Sequence, residues 1–172
     1  MNCGARSASE KSKGQAMAEF MIAMIVAMII LFVAVQFAVI ARDATALGQF
    51  TYQAARLAAA PTNTKWACTD LVNYITTSES TTTNIMPRPV AAIVANNGIS
   101  CSSTGPGGTP NGVVLTMNCP GTAGGCTQRT VGSQVQVVSA MAITRDLFLR
   151  QVFLGVGFPS SLSNQASAFT QG

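Results

Sequence analysis

The run FMIAMIVAMIILFVAVQFAVIA, residues 20–41, decides the fold class because it holds no charged side chain and a single polar one, Gln36. A helix of this length spans about 30 Å, which matches the hydrocarbon core of a bilayer. A buried core helix and the apolar region of a secretory signal are the alternatives, but that region is usually only about 7–15 residues long. The run therefore predicts one transmembrane helix.

The charges that flank the run predict its orientation. Residues 1–14 contain three basic residues and one acid: Arg6, Lys11, Lys13 and Glu10. Arg42 and Asp43 follow it and balance each other. Because the basic flank of a membrane helix stays in the cytoplasm, we expect a single-pass inner-membrane protein whose later residues reach the periplasm or the outside. The net charge of +4 comes partly from this leader. No basic patch interleaved with aromatic residues indicates nucleic-acid binding, so the expected partner is the membrane.

Cysteine usage agrees with export. Apart from Cys3 in the leader, four cysteines follow the run: Cys68, Cys101, Cys119 and Cys126. In an oxidising compartment four cysteines predict two disulfides. Cys119 and Cys126 flank a glycine-rich turn, which favours a local bond between them and leaves Cys68 with Cys101, although the other two pairings stay open. Zinc is the weaker interpretation because the chain has no histidine and no CxxC pair, so no metal or cofactor is expected.

The stretch KGQAMAEF, residues 13–20, precedes the run. A basic leader that ends in Gly14, with Glu19 as the fifth residue after a cut between Gly14 and Gln15, resembles a type III, prepilin-type signal. The resemblance implies that a prepilin peptidase removes residues 1–14 on the cytoplasmic side. The apolar helix would then stay on the mature protein.

Glu19 needs an explanation because a carboxylate at the edge of hydrocarbon is costly without a partner. By resemblance to pilin-like subunits, Glu19, followed by Phe20, would face the new α-amino group of Gln15 on its own or a neighbouring chain and guide assembly. The competing interpretation is an interfacial acid that reaches headgroup water at the start of a helix, where a negative charge suits the macrodipole.

Small residues lie near Glu19 on one face of the predicted helix: Ala23, Ala27, Ala34 and Ala38. Such residues permit close approach of a second helix. A neighbouring stripe consists of methionines, which suit adaptable packing: Met17, Met21, Met24 and Met28. The alternative is that lipid tolerates alanine and methionine anywhere.

The segment RDATALGQFTYQAARLAAA, residues 42–60, favours a continued helix, which Pro61 would end. Together with GQAMAEF and the apolar run, it resembles the TadE-like proteins, minor pilin-like subunits of tight-adherence pili. The resemblance implies a minor pilin or pseudopilin of such a pilus or of a related secretion apparatus, with other pilin-like subunits and the assembly machinery as partners. The alternative is an unprocessed bitopic inner-membrane protein whose exported head binds an envelope or surface partner through loops such as residues 81–89.

Three regions follow: a leader at 1–14, a transmembrane and extended helix at 15–60, and an exported, disulfide-containing head at 61–172. Within the head, CTDLVNYITTSE predicts a short amphipathic helix, whereas MPRPV is typical of a loop. Strands are predicted in NGVVLTMNC, SQVQVVSAMAIT and SLSNQASAF, and residues 145–158 form either a helix face or a membrane-proximal loop. The predicted fold is α+β and pilin-like, with the long helix packed on a small antiparallel sheet.

Catalysis has little support in the sequence. The chain lacks histidine and a phosphate-binding loop, and the acids outside the leader are scattered. Neither an acid–base pair nor an activated nucleophile can be assembled from such residues, so we expect no enzyme activity.

Overall fold

The computed structural model describes residues 6–63, 65–78, 86–102, 112–121, 125–142 and 161–171; of residues 6–14 and 125 it describes the backbone only. The chain divides into two compact units, Met1–Val39 and Ile40–Gly172. The first helix, α1, spans Arg6–Ala58 and so contributes residues to both units.

The described part of the first unit is entirely helical. Its helix begins at Arg6, within the predicted leader, and not at Gln15. The early start has a simple cause, because the leader's lysines, glutamate and alanine are good helix formers. At its other end α1 finishes at Ala58, two residues before the predicted Ala60.

The second unit adds two further helices and four strands. The helices are α2 (Cys68–Ser78) and α3 (Arg88–Asn97), and short 3₁₀ turns lie at Pro61–Asn63 and Gly125–Thr127. The strands are β1 (Ile99–Cys101), β2 (Val113–Asn118), β3 (Gln134–Ala142) and β4 (Ser161–Phe169). The α+β prediction is confirmed, and β2, β3 and β4 each lie within a segment in which a strand was predicted.

The strands form one sheet in the order β1-β2-β3-β4. β2 and β3 are antiparallel, as are β3 and β4, so that Ser139 pairs with Leu115 on one side and Asn164 on the other. β1 instead runs parallel to β2, with Ile99 opposite Val113. The prediction of a wholly antiparallel sheet is therefore wrong. The two strands are separated in sequence by residues 102–112, which is about the length that a parallel connection requires and far more than a two-residue hairpin.

The core of the second unit lies between the later turns of α1 and one face of the sheet. Leu47, Phe50 and Ala54 are fully buried on the helix at three- and four-residue spacing. They belong to one apolar cluster with the inward-facing residues of β2 and β3: Val113, Leu115, Val135, Val137 and Met141. The alternating burial of β3 shows the period of two that a half-buried strand requires.

One polar contact and one glycine bring α1 especially close to the sheet. The hydroxyls of Thr51 and Ser139, both fully buried, lie 2.5 Å apart, and Thr51 also donates to the carbonyl of Leu47 at 2.6 Å. One turn earlier, a Cβ on Gly48 would lie 2.8 Å from Nδ2 of Asn164 in β4. Gly48 weakens the helix by about 1 kcal/mol relative to alanine, but its missing side chain makes room for β4.

The remaining helices close the core beside β1 and β2. Leu71 and Ile75 of α2 and Val90 and Ile93 of α3 are buried in the same cluster. The helix predicted from CTDLVNYITTSE is confirmed, but the loop predicted at MPRPV is wrong because α3 begins inside it. Prolines fit the first turn of a helix, where no intrahelical partner awaits their missing N–H groups. The predictions for residues 81–85 and 145–158 lie outside the described residues.

Candidate functional site: the apolar helix and the disulfides

The first unit presents an apolar helix with no core of its own. Within the described residues, the segment Gln15–Ala58 is long and apolar enough to cross a membrane, judged by length and composition alone. Most of the large side chains in the first part of this segment, up to Phe37, are solvent-exposed: Phe20 is 67% exposed, Ile25 61% and Ile30 63%. Exposed apolar surface of this extent marks contact with lipid or with another protein.

The predicted assembly residues lie together at the start of this segment. The side-chain Nε2 of Gln15 donates a hydrogen bond to Oε1 of Glu19 at 3.4 Å, one helical turn away. Both side chains are exposed, as is that of Phe20. The side-chain amide of Gln15 is thus a neutral hydrogen-bond partner of the Glu19 carboxylate. The pairing of Glu19 with an α-amino group stays a prediction. The backbone at Gly14 is helical as well, so α1 runs unbroken through the predicted cleavage point.

The predicted packing face is also exposed. All four alanines, at 23, 27, 34 and 38, are exposed, and so are the methionines at 17, 21, 24 and 28. Nothing in the structure distinguishes the two faces by burial, so their roles in helix packing stay predictions. Gln36 differs from its neighbours, because its buried amide Oε1 has no hydrogen-bond partner in the described part of the chain.

Two disulfides lie in the second unit. Cys68 bonds to Cys101 with a Cα–Cα distance of 6.0 Å and ties the first residue of α2 to the last residue of β1. Cys119 bonds to Cys126 with a Cα–Cα distance of 5.2 Å and closes the loop that follows β2. The structure thus has the pairing that the local spacing favoured. The Cys68–Cys101 disulfide, which closes the longer loop, holds together two of the elements at the β1 edge of the sheet.

A buried arginine lies beside the second disulfide. Arg129 is 6% exposed, and its Nη1 contacts Sδ of Met117 at 3.4 Å and Sγ of Cys119 at 4.0 Å. Its Nη2 donates to the backbone carbonyl of Asn63. Burial lowers the pKa of the Arg129 guanidinium from its ordinary value because the charged form loses hydration.

No sequence signal predicts this burial. Arg129 lies in a polar turn-like stretch of sequence, and its contacts come from two other segments, at Asn63 and at residues 117–119. These segments meet only in the folded chain. In the described residues it forms no ion pair, and its Nε lacks a hydrogen-bond partner. Backbone carbonyl and sulfur atoms thus replace the carboxylate that usually accompanies a buried arginine.

The described residues contain no group of three or more His, Cys, Asp or Glu side chains placed to hold a metal ion. Comparison of the chain with protein-family models, with curated proteins and with solved structures finds no match. The resemblance to TadE-like proteins therefore rests on the residues quoted above and remains a hypothesis.

Proposed function

We propose that this chain is a structural subunit, a minor pilin or pseudopilin of a tight-adherence pilus or a related secretion apparatus. It is anchored in the inner membrane by the apolar part of α1 and carries its disulfide-containing unit on the periplasmic or outer side. It assembles with other pilin-like subunits through the same helix. No catalytic step is part of this function.

One observation carries the proposal: a single helix serves two different environments. The part of α1 that belongs to the first unit exposes nearly all of its apolar side chains, whereas the part from Ala46 to Ala58 buries one face in the core of the second unit. A helix that is apolar all round is suited to lipid or to a bundle of similar helices. Because the same helix is also part of a folded core, it would connect that core covalently to the assembly.

Glu19 has a defined task in this function. In a bilayer, its carboxylate would lie at the edge of the hydrocarbon, where an unpaired charge costs several kcal/mol. The hydrogen bond from the Gln15 amide offsets only part of this cost because the donor is neutral. A free α-amino group on Gln15, produced by cleavage after Gly14, would supply a positive partner. Subunits that supply this partner to each other are favoured to assemble side by side.

The continuous helix also favours a second candidate, the unprocessed bitopic protein whose exported unit binds an envelope or surface partner. A peptidase must unwind α1 around Gly14 before it can cut, whereas an uncleaved chain keeps the helix as it stands. Gly14 lowers the cost of this unwinding because glycine is about 1 kcal/mol less favourable than alanine within a helix.

The proposal is tested by substituting Glu19 in cells that assemble the filament. Glu19→Ala and Glu19→Gln should reduce the amount of subunit in the sheared filament fraction at least tenfold. Both variants should still resist extraction from membranes by alkaline carbonate. Met17→Leu, a change at an exposed, uncharged neighbour on the same helix, should incorporate normally. Normal incorporation of Glu19→Ala would remove the assembly role and leave the bitopic binding protein as the better account.

A further inference from the structure

A groove in the second unit lies between α1 and α3. It has a volume of about 600 Å³. One face of α1 and the first turns of α3 line it, through Arg42, Thr45, Ala46, Gln49, Arg88, Pro89 and Ala92. The α1 residues recur at three- and four-residue spacing, so the groove follows a single stripe of the helix.

The charge in this groove is positive. Two arginines, Arg42 and Arg88, contribute guanidinium groups from different helices, and the described lining residues include no acid. Asp43 is the nearest described carboxylate partner, and it accepts only from Nε of Arg42, at 3.3 Å. The terminal nitrogens of Arg42 therefore stay available to a ligand. The side chain of Asp43 is only 6% exposed, so it cannot serve as a general counter-ion for the groove.

The position of Arg42 identifies the kind of anion. It directly follows Ala41, the last residue of the charge-free run, on an unbroken helix. If the run crosses the hydrocarbon, Arg42 lies at the level of the headgroups, where basic side chains meet lipid phosphates. Guanidinium groups bind phosphate in a bidentate manner, and two of them at one groove can hold a single phosphate from two sides.

We propose that the groove between α1 and α3 binds the phosphate of an anionic phospholipid headgroup, held by Arg42 and Arg88. The inference rests on the membrane anchor in the proposed function but not on filament assembly or on cleavage of the leader. Binding at this point would fix the second unit to the bilayer surface beside the place where α1 leaves it. The exposed amide of Gln49 could contact the polar part of the same headgroup.

The test uses the full-length protein in nanodiscs that contain equal amounts of phosphatidylglycerol and phosphatidylcholine. Native mass spectrometry after transfer to detergent counts the lipids that stay bound. The wild-type protein should retain phosphatidylglycerol in preference to phosphatidylcholine. Arg88→Gln should reduce this preference about fivefold, the effect of losing one basic side chain near an anionic surface. Arg88→Lys should recover part of the preference because it restores the charge without the planar fork.

Arg56→Gln is the matched control. Arg56 is exposed on the same helix, but it lies about 21 Å further along α1 than Arg42, beyond the range of screened charges. This variant should keep the wild-type preference, and so should the wild-type protein in excess inorganic phosphate at constant ionic strength. Four results would overturn the proposal: no preference in the wild type, an unchanged preference in Arg88→Gln, an equal loss in Arg56→Gln, or complete displacement by inorganic phosphate, which would indicate a site for a free anion.

The two proposals fail separately. A wild-type chain that never enters the nanodisc would overturn both the membrane anchor and the lipid site. A chain that enters and prefers phosphatidylglycerol, but whose Glu19→Ala variant still joins filaments normally, would keep the lipid site and overturn the assembly role.

Discussion

The guanidinium of Arg129 donates a hydrogen bond to the backbone carbonyl of Asn63. Asn63 in turn donates from its side-chain Nδ2 to the carbonyl of Leu57, 3.0 Å away, in the last turn of α1. The end of the long helix is thus connected through one asparagine to the segment that carries the Cys119–Cys126 disulfide. Carbonyls at the end of a helix have no intrahelical partners, and a positive charge near them suits the macrodipole.

Replacing this arginine should destabilise the second unit. Arg129→Met keeps much of the side-chain volume but removes the charged donor of the Asn63 carbonyl, which then accepts only from the backbone N–H of Trp66, 3.0 Å away. We therefore expect the free energy of unfolding to fall by about 1 kcal/mol, the net value of a typical hydrogen bond. Arg56→Met, at an exposed position, should change it by less than about 0.5 kcal/mol. Urea unfolding of the full chain in detergent, followed by the fluorescence of Trp66, measures both. Equal stability of the two variants would show that the connection to Asn63 contributes nothing.

The buried charge of Arg129 also bears on how the free energy of unfolding depends on pH. A base whose pKa is lowered by folding destabilises the folded state while it is charged, and this cost disappears only as the pH rises through the lowered pKa. Because a guanidinium stays charged up to a pH of about 12, the difference between wild type and Arg129→Met should be constant from roughly pH 5 to pH 9. A difference that varies across this range would assign the effect to another group.

Among the described residues, Phe50 is the largest fully buried side chain. Phe50→Ala should lower the free energy of unfolding by about 3–5 kcal/mol because it removes an aromatic ring and leaves a cavity between α1 and the sheet. Tyr52 lies two residues away on α1 and is 60% exposed, so Tyr52→Ala should cost less than about 1 kcal/mol. Urea unfolding compares the pair, and similar losses would show that this face of α1 does not pack against the sheet.

The two disulfides should contribute unequally to stability. Cys68 and Cys101 are 33 residues apart in sequence, whereas Cys119 and Cys126 are 7 apart. On the chain-entropy account, the longer loop stabilises by about 4 kcal/mol and the shorter by about 2 kcal/mol. Replacing the first pair by serines should therefore lower the urea midpoint more than replacing the second. The reverse order would mean that native contacts around Cys119, including Arg129, outweigh loop closure.

The alanine face of α1 predicts a specific contact between subunits. Ala27 lies on this face, and Ile25 lies about 200° around the helix from it. In assembled filaments, Ala27→Cys should form oxidative cross-links between neighbouring subunits at least fivefold faster than Ile25→Cys, because small residues bring helices close together. Equal rates would show that the helices meet without a preferred face.

Much of the fold follows from local pattern. The apolar run identifies a long helix, and the alternation in β3 identifies a strand and its buried face. The three- and four-residue spacing of Leu47, Phe50 and Ala54 is typical of one buried face of a helix. The disulfide of Cys119 with Cys126 could be anticipated for the same reason, since a short glycine-rich turn brings them together.

The features that sequence reasoning missed depend on distant segments. The parallel direction of β1 is defined by its pairing with β2, which follows β1 only after residues 102–112. The burial of Arg129 depends on Asn63 and Met117, which belong to separate elements. The helical position of Arg88 was missed because it lies between two prolines, a pattern typical of loops, although proline is acceptable in the first turn of a helix. Its place in a groove with Arg42 becomes visible only when α3 packs beside α1.

Intact-mass spectrometry of the protein extracted from membranes, with and without reduction, tests the central claim most directly. A processed pilin-like subunit predicts a chain that begins at Gln15 and gains about four mass units on reduction, two for each disulfide. A chain that still carries Met1–Gly14 would contradict processing and favour the bitopic binding protein.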